Sequence, residues 1–447
     1  MNYIIKHHTI IFNPEYNEQI DVNLLSQYKK VIFSNYKLDE YLFDAYESND
    51  FKNYENKYSQ FNQQVNNLPN TLTHLTFGFR FNQSVNNLPN TLTYLTFDYH
   101  FNQKINNLPN TLTHLTFGGS FNQKINNLPN SLTYLTFGYD FNQKVNNLPN
   151  SLTHLTFGYH FNQEVNNLPN YLKYLTFDCN FDQEVNNLPN SLTHLTFGFY
   201  FNREINNLPK YLTHLTFDRK INRNFNRNFN QSVNNLPNTL THLTFGYDFN
   251  QKVNNLPNSL THLTFDNNFN QQVNNLPNTL IHLTFGFDFN QQVDNLPNTL
   301  THLTFNNNFN NSLNNLPNSL THLTFNDNFD KKVILPFNIK YLKLNYNNQH
   351  IIDYLHDGIE ELEFGIYFNL ELNNLPSSIK KIIFYKHNKY NKELNCLPNF
   401  VELLQLSKYY DKKILKIPKE LKKIICHKDY KFIKDFDNLI DCEIYKI

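Results

Sequence analysis

Residues 61–80 read FNQQVNNLPNTLTHLTFGFR, and residues 81–100 read FNQSVNNLPNTLTYLTFDYH. The same twenty-residue unit continues to residue 220, is interrupted by INRNFNRN at 221–228, resumes at Phe229 and holds to 328. Thirteen close copies result, starting every twenty residues from Phe61 to Phe201 and again from Phe229 to Phe309. Such a period is the signature of a stacked array, in which each unit buries its apolar face only against its neighbours. The near-duplicate INRN, FNRN and FNQS segments at 221–232 read as slippage of the coding sequence.

Within a copy the apolar positions are Phe61, Val65, Leu68, Leu72, Leu75 and Phe77. No 3.6-residue stripe passes through them, and Pro69 with its flanking asparagines would break a helix. Leu75–Thr76–Phe77 alternates in and out, which is strand behaviour. A strand repeated every twenty residues stacks in parallel on its copies, and the remaining residues return the chain to the next start. The expected fold is mainly β: a right-handed parallel solenoid. Its returning segment has no helix, so both sides of a coil should be similarly wide and the curvature shallow.

The string Leu72–x–x–Leu75–x–Phe77 resembles the leucine-rich-repeat signature L-x-x-L-x-L. The turn asparagine of that signature is only partly kept, as Asn180, Asn268, Asn308 and Asn328 but also Arg80, Tyr200 and Lys220. Phe81 arrives one residue earlier than the signature's next leucine. The unit is closer to the FNIP repeat family of social amoebae and giant viruses, which it resembles through FNQxVNNLP, a Phe-Asn followed by a Leu-Pro. The resemblance covers 61–328 and implies a leucine-rich-repeat-like array. Relatives often carry an F-box ahead of the repeats, which implies a ubiquitin-ligase substrate adaptor as the alternative function. Residues 1–60 do not show that motif's Leu-Pro-containing helical start.

Three regions follow. Residues 1–60 form an N-terminal cap with degenerate coils, marked by Tyr28–Val31–Phe33 and more weakly by His7–Ile10–Phe12. Residues 61–328 form the array, with 221–228 either bulging from a turn or acting as a hinge. Residues 329–447 are degenerate repeats and a C-terminal cap, with the strand spacing kept from Ile339–Leu342–Leu344 to Leu421–Ile424–Cys426. Formal net charge is zero, so no global field calls for nucleic acid. The lysine surplus in 380–447 reads as a solvated cap. The four cysteines have neither metal-ligand spacing nor a disulfide framework. MNYIIKHHTIIF lacks the layout of a signal peptide, and no stretch has the length of a membrane helix. The expectation is an intracellular, cytoplasmic monomer, in a host cell if viral, with no membrane or nucleic-acid partner and no cofactor.

Asn67 and its equivalents never vary across the copies, and the expectation is that they are buried and satisfy backbone groups at the corners. The positions that do vary guide function. One is the outward strand position, which holds His74, Tyr94, His114, Tyr134, His154, Tyr174, His194, His214, His242, His262, His282, His302 and His322. Another is the tripeptide after each strand, with the aromatics Tyr99, Tyr139, Tyr159, Phe199 and Tyr247. These are the candidate partner-binding residues, because aromatic side chains dominate interface hot spots. Metal binding is not expected, since ligands must converge on one point and stacked rings form a line. Catalysis is not expected either: a nucleophile, base and orienting group make a unique constellation, whereas these residues recur in every copy. The expected function is a protein-interaction scaffold whose protein partner the sequence does not identify.

Overall fold

The computed structural model describes residues 2–38, 42–217, 229–326, 328–436 and 442–446. The 221–228 interruption, with its choice between bulge and hinge, lies outside them. The described residues fall into two compact units, 2–217 with Phe229, and 230–446. In the first, β1 (Tyr3–Lys6) and β2 (Thr9–Phe12) make an antiparallel hairpin. From there the strands pair in parallel: β2 with β3 (Lys30–Phe33), β3 with β4 (His74–Thr76), and onward copy by copy to β11 (His214–Phe217). Short helices α1 (Val22–Leu25) and α2 (Leu42–Ser48) fall between these first strands. The second unit runs in parallel from β12 (His242–Thr244) to β22 (Glu443–Lys446), with helix α3 (Gln349–Asp353) in one return segment. Among the copies the register shift is twenty: His74 pairs with Tyr94, Leu75 with Leu95 and Thr76 with Thr96.

Each strand is only three or four residues long, so the sheet alone cannot hold a coil. The core does most of it. Phe61, Val65, Leu68, Leu72, Leu75 and Phe77 are all buried. Phe77 and Phe81 stack face to face at 3.7 Å. The coils are tapered. Successive ladder rings such as His74 and Tyr94 lie 4.2 Å apart. Phe77 and Phe97, inside the sheet, are 5.5 Å apart, and Phe81 and Phe101 are 6.1 Å apart. This corrects the expectation that both sides of a coil are similarly wide: the two sides are unequal, and within each unit the ladder lies on the narrow, concave side.

Polar side chains complete the stack. Asn62 Oδ1 accepts the backbone N–H of Asn82 at 2.9 Å and the Nε2–H of Gln83 at 3.2 Å. The same pair of bonds recurs from Asn82 to Asn102 and Gln103, and from Asn250 to Asn270 and Gln271. The Phe-Asn-Gln string is therefore a cross-coil clamp. Where Asp182 replaces the asparagine, it still accepts from Asn202 N at 3.1 Å, and the following glutamine becomes Arg203, paired with the carboxylate at 3.1 Å. Threonines add a second ladder: Thr91 Oγ1 donates to Leu72 O at 2.7 Å and Thr93 Oγ1 to Thr73 O at 3.0 Å.

The expectation for Asn67 needs correction. Asn67 is exposed, and with Asn127 it holds a positive φ, 59° and 60°. Among the described residues of this row the left-handed turn is confined to these two copies, so it does not account for an asparagine in all thirteen. Backbone satisfaction belongs to the Asn62 row instead, whose members are half-buried or exposed.

Candidate interaction face

Because Leu75 points inward, its neighbours His74 and Thr76 point outward, and parallel register stacks them on their copies. The rings form a continuous ladder in each unit. In the first, His and Tyr alternate from His74 through Tyr94, His114, Tyr134, His154 and Tyr174 to His194 and His214, at spacings of 4.0–4.3 Å and nearly parallel planes. In the second, five imidazoles stack without a break, His242, His262, His282, His302 and His322. Tyr94, Tyr134 and Tyr174 remain 39–40% exposed, and the histidine rungs of both units are half-buried.

Hydrogen bonding fixes which nitrogen faces out. Thr113 Oγ1 donates to Thr93 O at 3.1 Å, so toward His114 Nδ1, 2.9 Å away, it can only accept. Nδ1 therefore carries the proton and Nε2 is left as an acceptor. Thr261 with His262, Thr301 with His302 and Thr321 with His322 repeat the arrangement. Burial, reinforced by Lys30 and His114, holds His74 down at about 4. Burial and the neighbouring His282, His322 and His262 hold His302 at about 4. His114, His154, His242, His262, His282 and His322 are pulled below the ordinary value, burial being the main cause in each. A neutral stack of rings with an acceptor edge results.

The turn aromatics beside the ladder divide. Tyr99 and Tyr139 are exposed, Tyr139 stacking on the half-buried Tyr159 at 4.6 Å. Tyr247 is half-buried. Phe199 requires a correction: it is 3% exposed, edge-on to Tyr200, so it belongs to the packing and cannot anchor a partner. The first residue of the variable tripeptide is glycine in some copies and Asp98, Asp178, Asp266 or Asn306 in others, and at the glycines the space is tight. A Cβ on Gly138 would lie 1.9 Å from the carbonyl oxygen of Gly118.

The ladder ends where the repeats degenerate. Tyr341 continues the row beside His322 at a looser 5.5 Å, and beyond it charged residues take outward positions: Lys343 pairs with Glu363, Lys381 with Glu361 and Lys380 with Glu360 across adjacent coils. Among the described residues no group of three or more His, Cys, Asp or Glu is placed to hold a metal ion, and no helix is long and apolar enough to cross a membrane.

Short strands in parallel register, one inward leucine row and polar cross-coil ladders define a parallel β solenoid of the leucine-rich-repeat type. The chain resembles CroV588 of a giant virus, described as a novel circular LRR protein, at 38% identity and a TM-score of 0.69, covering 96% of this chain and 77% of that one. Weaker likeness extends to YopM, a leucine-rich effector protein of Yersinia pestis (21% identity, TM-score 0.40, 76% of this chain, 84% of that one). It extends also to YopM of Yersinia enterocolitica (17% identity, TM-score 0.36, 86% and 84%). No curated protein matches the chain. The FNIP repeat model matches eleven times in overlapping spans from 61 to 346. The chain belongs to the FNIP repeat family, and none of these likenesses is to a catalytic family.

Proposed function

We propose that this protein is an interaction scaffold that binds an extended protein partner along the His/Tyr ladder and the exposed tyrosines beside it. The observation that supports this reading is the open concave row of rings, each with an apolar face edge and a polar atom facing out. Such side chains supply large contact area with little rotamer entropy to lose, which is what interface anchors need. A solenoid of this type also offers the surface at fixed spacing, so an extended partner meets the same chemistry at each coil. The monomeric state follows the same logic, since each unit's sheet is consumed by its own stack. A photo-crosslinking residue placed at Tyr134 should capture a defined partner in host-cell extract, whereas the same residue at Asn186, in the exposed return segment, should not. Equal labelling at both positions, or none at Tyr134, would reject the ladder as the binding face.

A further inference from the structure

A second surface, separate from the ladder, lies along the asparagine clamps of the first unit. Phe101, Phe121, Phe141 and Phe161 point into the core, so the residues on either side of each phenylalanine point outward. The two outward rows flank a groove of about 570 Å³. One row is Asn102, Asn122, Asn142 and Asn162, and the facing row is Ser120, Asp140, His160 and Asn180. Each asparagine amide is half used. Asn122 Oδ1 accepts from Asn142 N and from Gln143 Nε2, both at 3.0 Å. An atom with two donors aimed at it is the carbonyl oxygen, which assigns the other atom as Nδ2. That Nδ2 has no protein acceptor among the described residues, and the same holds at Asn102, Asn142 and Asn162. The backbone half of the clamp needs only the oxygen, as Asp182 shows by accepting from Asn202, its second partner there being Arg203 in place of glutamine. Charge repulsion would forbid a run of aspartates there but not scattered ones, and still twelve of thirteen copies keep the amide.

We infer that this groove is a site for an extended peptide segment, whose main-chain carbonyls accept from the row of free Asn Nδ2 groups. The coil spacing beside that row is 6.1 Å, from Phe101 to Phe121, Phe121 to Phe141 and Phe141 to Phe161. Carbonyls on one edge of an extended chain recur every second residue, at about 6.4–6.8 Å, and less when the strand is strongly twisted. One carbonyl therefore meets one amide per coil. The facing row supplies acceptors for the peptide's N–H groups, notably the Asp140 carboxylate and the Ser120 hydroxyl. Other polymers fit less well. Asp140 opposes a polyphosphate backbone, and the rings at the groove, His160 with Tyr139 and Tyr159 beside it, are packed on one another and do not form a shared open platform for sugars.

The test uses the full chain and a displayed library of random linear peptides. An uncharged selected peptide is then titrated by fluorescence polarisation against wild type, against Asn122→Asp/Asn142→Asp, and against the ladder variant His114→Thr/His154→Thr. The aspartates keep the clamp oxygen and remove the donors. The double aspartate variant should bind about tenfold more weakly or worse with its thermal midpoint nearly unchanged, while the ladder variant binds as wild type. If the double variant fails to fold, the single Asn122→Asp and Asn142→Asp variants are titrated, each expected to be about threefold weaker. Four results would overturn the inference: no peptide enriched above an unrelated-protein control; unchanged affinity in the aspartate variants; loss only in the ladder variant; or capture of glycans, in place of peptides, that the aspartate variants abolish. Loss only in the ladder variant would leave the ladder-face reading standing, so the two readings fail separately.

Discussion

At the scale of single residues, the fold depends on atoms that do a job repeated in every coil. Asn250 Oδ1 takes two donors, Asn270 N at 2.9 Å and Gln271 Nε2 at 3.1 Å. Asn250→Ala leaves both without a partner and should destabilise the adjoining coils by about 1–3 kcal/mol, whereas Asn250→Asp should cost much less because the acceptor survives. Amide hydrogen exchange around residues 250–271 reads this locally, which matters because a long array does not unfold as one unit. Equal protection in the two variants would show that the clamp is incidental. Gly138→Ala acts through space alone. Its methyl would meet the Gly118 carbonyl, and overpacking of this kind costs about 1–3 kcal/mol. An unchanged thermal midpoint would mean that the coils can spread at that turn.

At the scale of the element, the unit that matters is a strand with its outward ring. The six inward apolar residues were legible in the sequence, because their spacing fits neither helix nor coil and recurs thirteen times. The roles of the asparagines were not. Asn67 and Asn62 both stand in rows that hardly vary between copies, and nothing in the letters says that one row is left exposed while the other accepts across the coils through its Oδ1. Phe199 escaped for a related reason: its tripeptide varies in sequence, yet the ring turns inward. The candidate ladder could be read because a period-two strand places His74 outward once Leu75 is placed inward. Its pH behaviour follows from burial. Histidines held below their ordinary value bind protons less well folded than unfolded, so the stability they contribute is fully present above about pH 6.5. That contribution is lost as pH falls from about 6.5 toward the value of about 4 held by His74 and His302. The thermal midpoint should therefore drop between pH 7.5 and 5, before most carboxylates titrate. Replacing His242, His262, His282, His302 and His322 with tyrosine, which other copies carry at this position, should flatten the drop. A midpoint constant over that range in the parent chain contradicts the account.

At the scale of the whole molecule, stability is a sum over neighbours, so a single core lesion should act locally. Phe137 stacks on Phe141 at 3.8 Å and on Phe157 at 5.7 Å. Phe137→Ala should cost about 3–5 kcal/mol, and the loss of exchange protection should be confined to the coils on either side. Loss spread evenly through the first unit would indicate a single cooperative core. The taper of the coils lay beyond the sequence, since it depends on how two phenylalanine rows space themselves against a hydrogen-bonded sheet.

The central claim is that residues twenty apart occupy adjacent, in-register strands. Electron-spin distance measurements within the second unit test it most directly, with one label at Thr244 and the other moved from Thr304 to Thr324 to Glu363. The strand register places these positions three, four and six strands away. The account predicts narrow distances that grow by about 4.8 Å per strand, near 14, 19 and 29 Å. Distances that are broad, or that do not lengthen by one strand spacing per repeat, would contradict it.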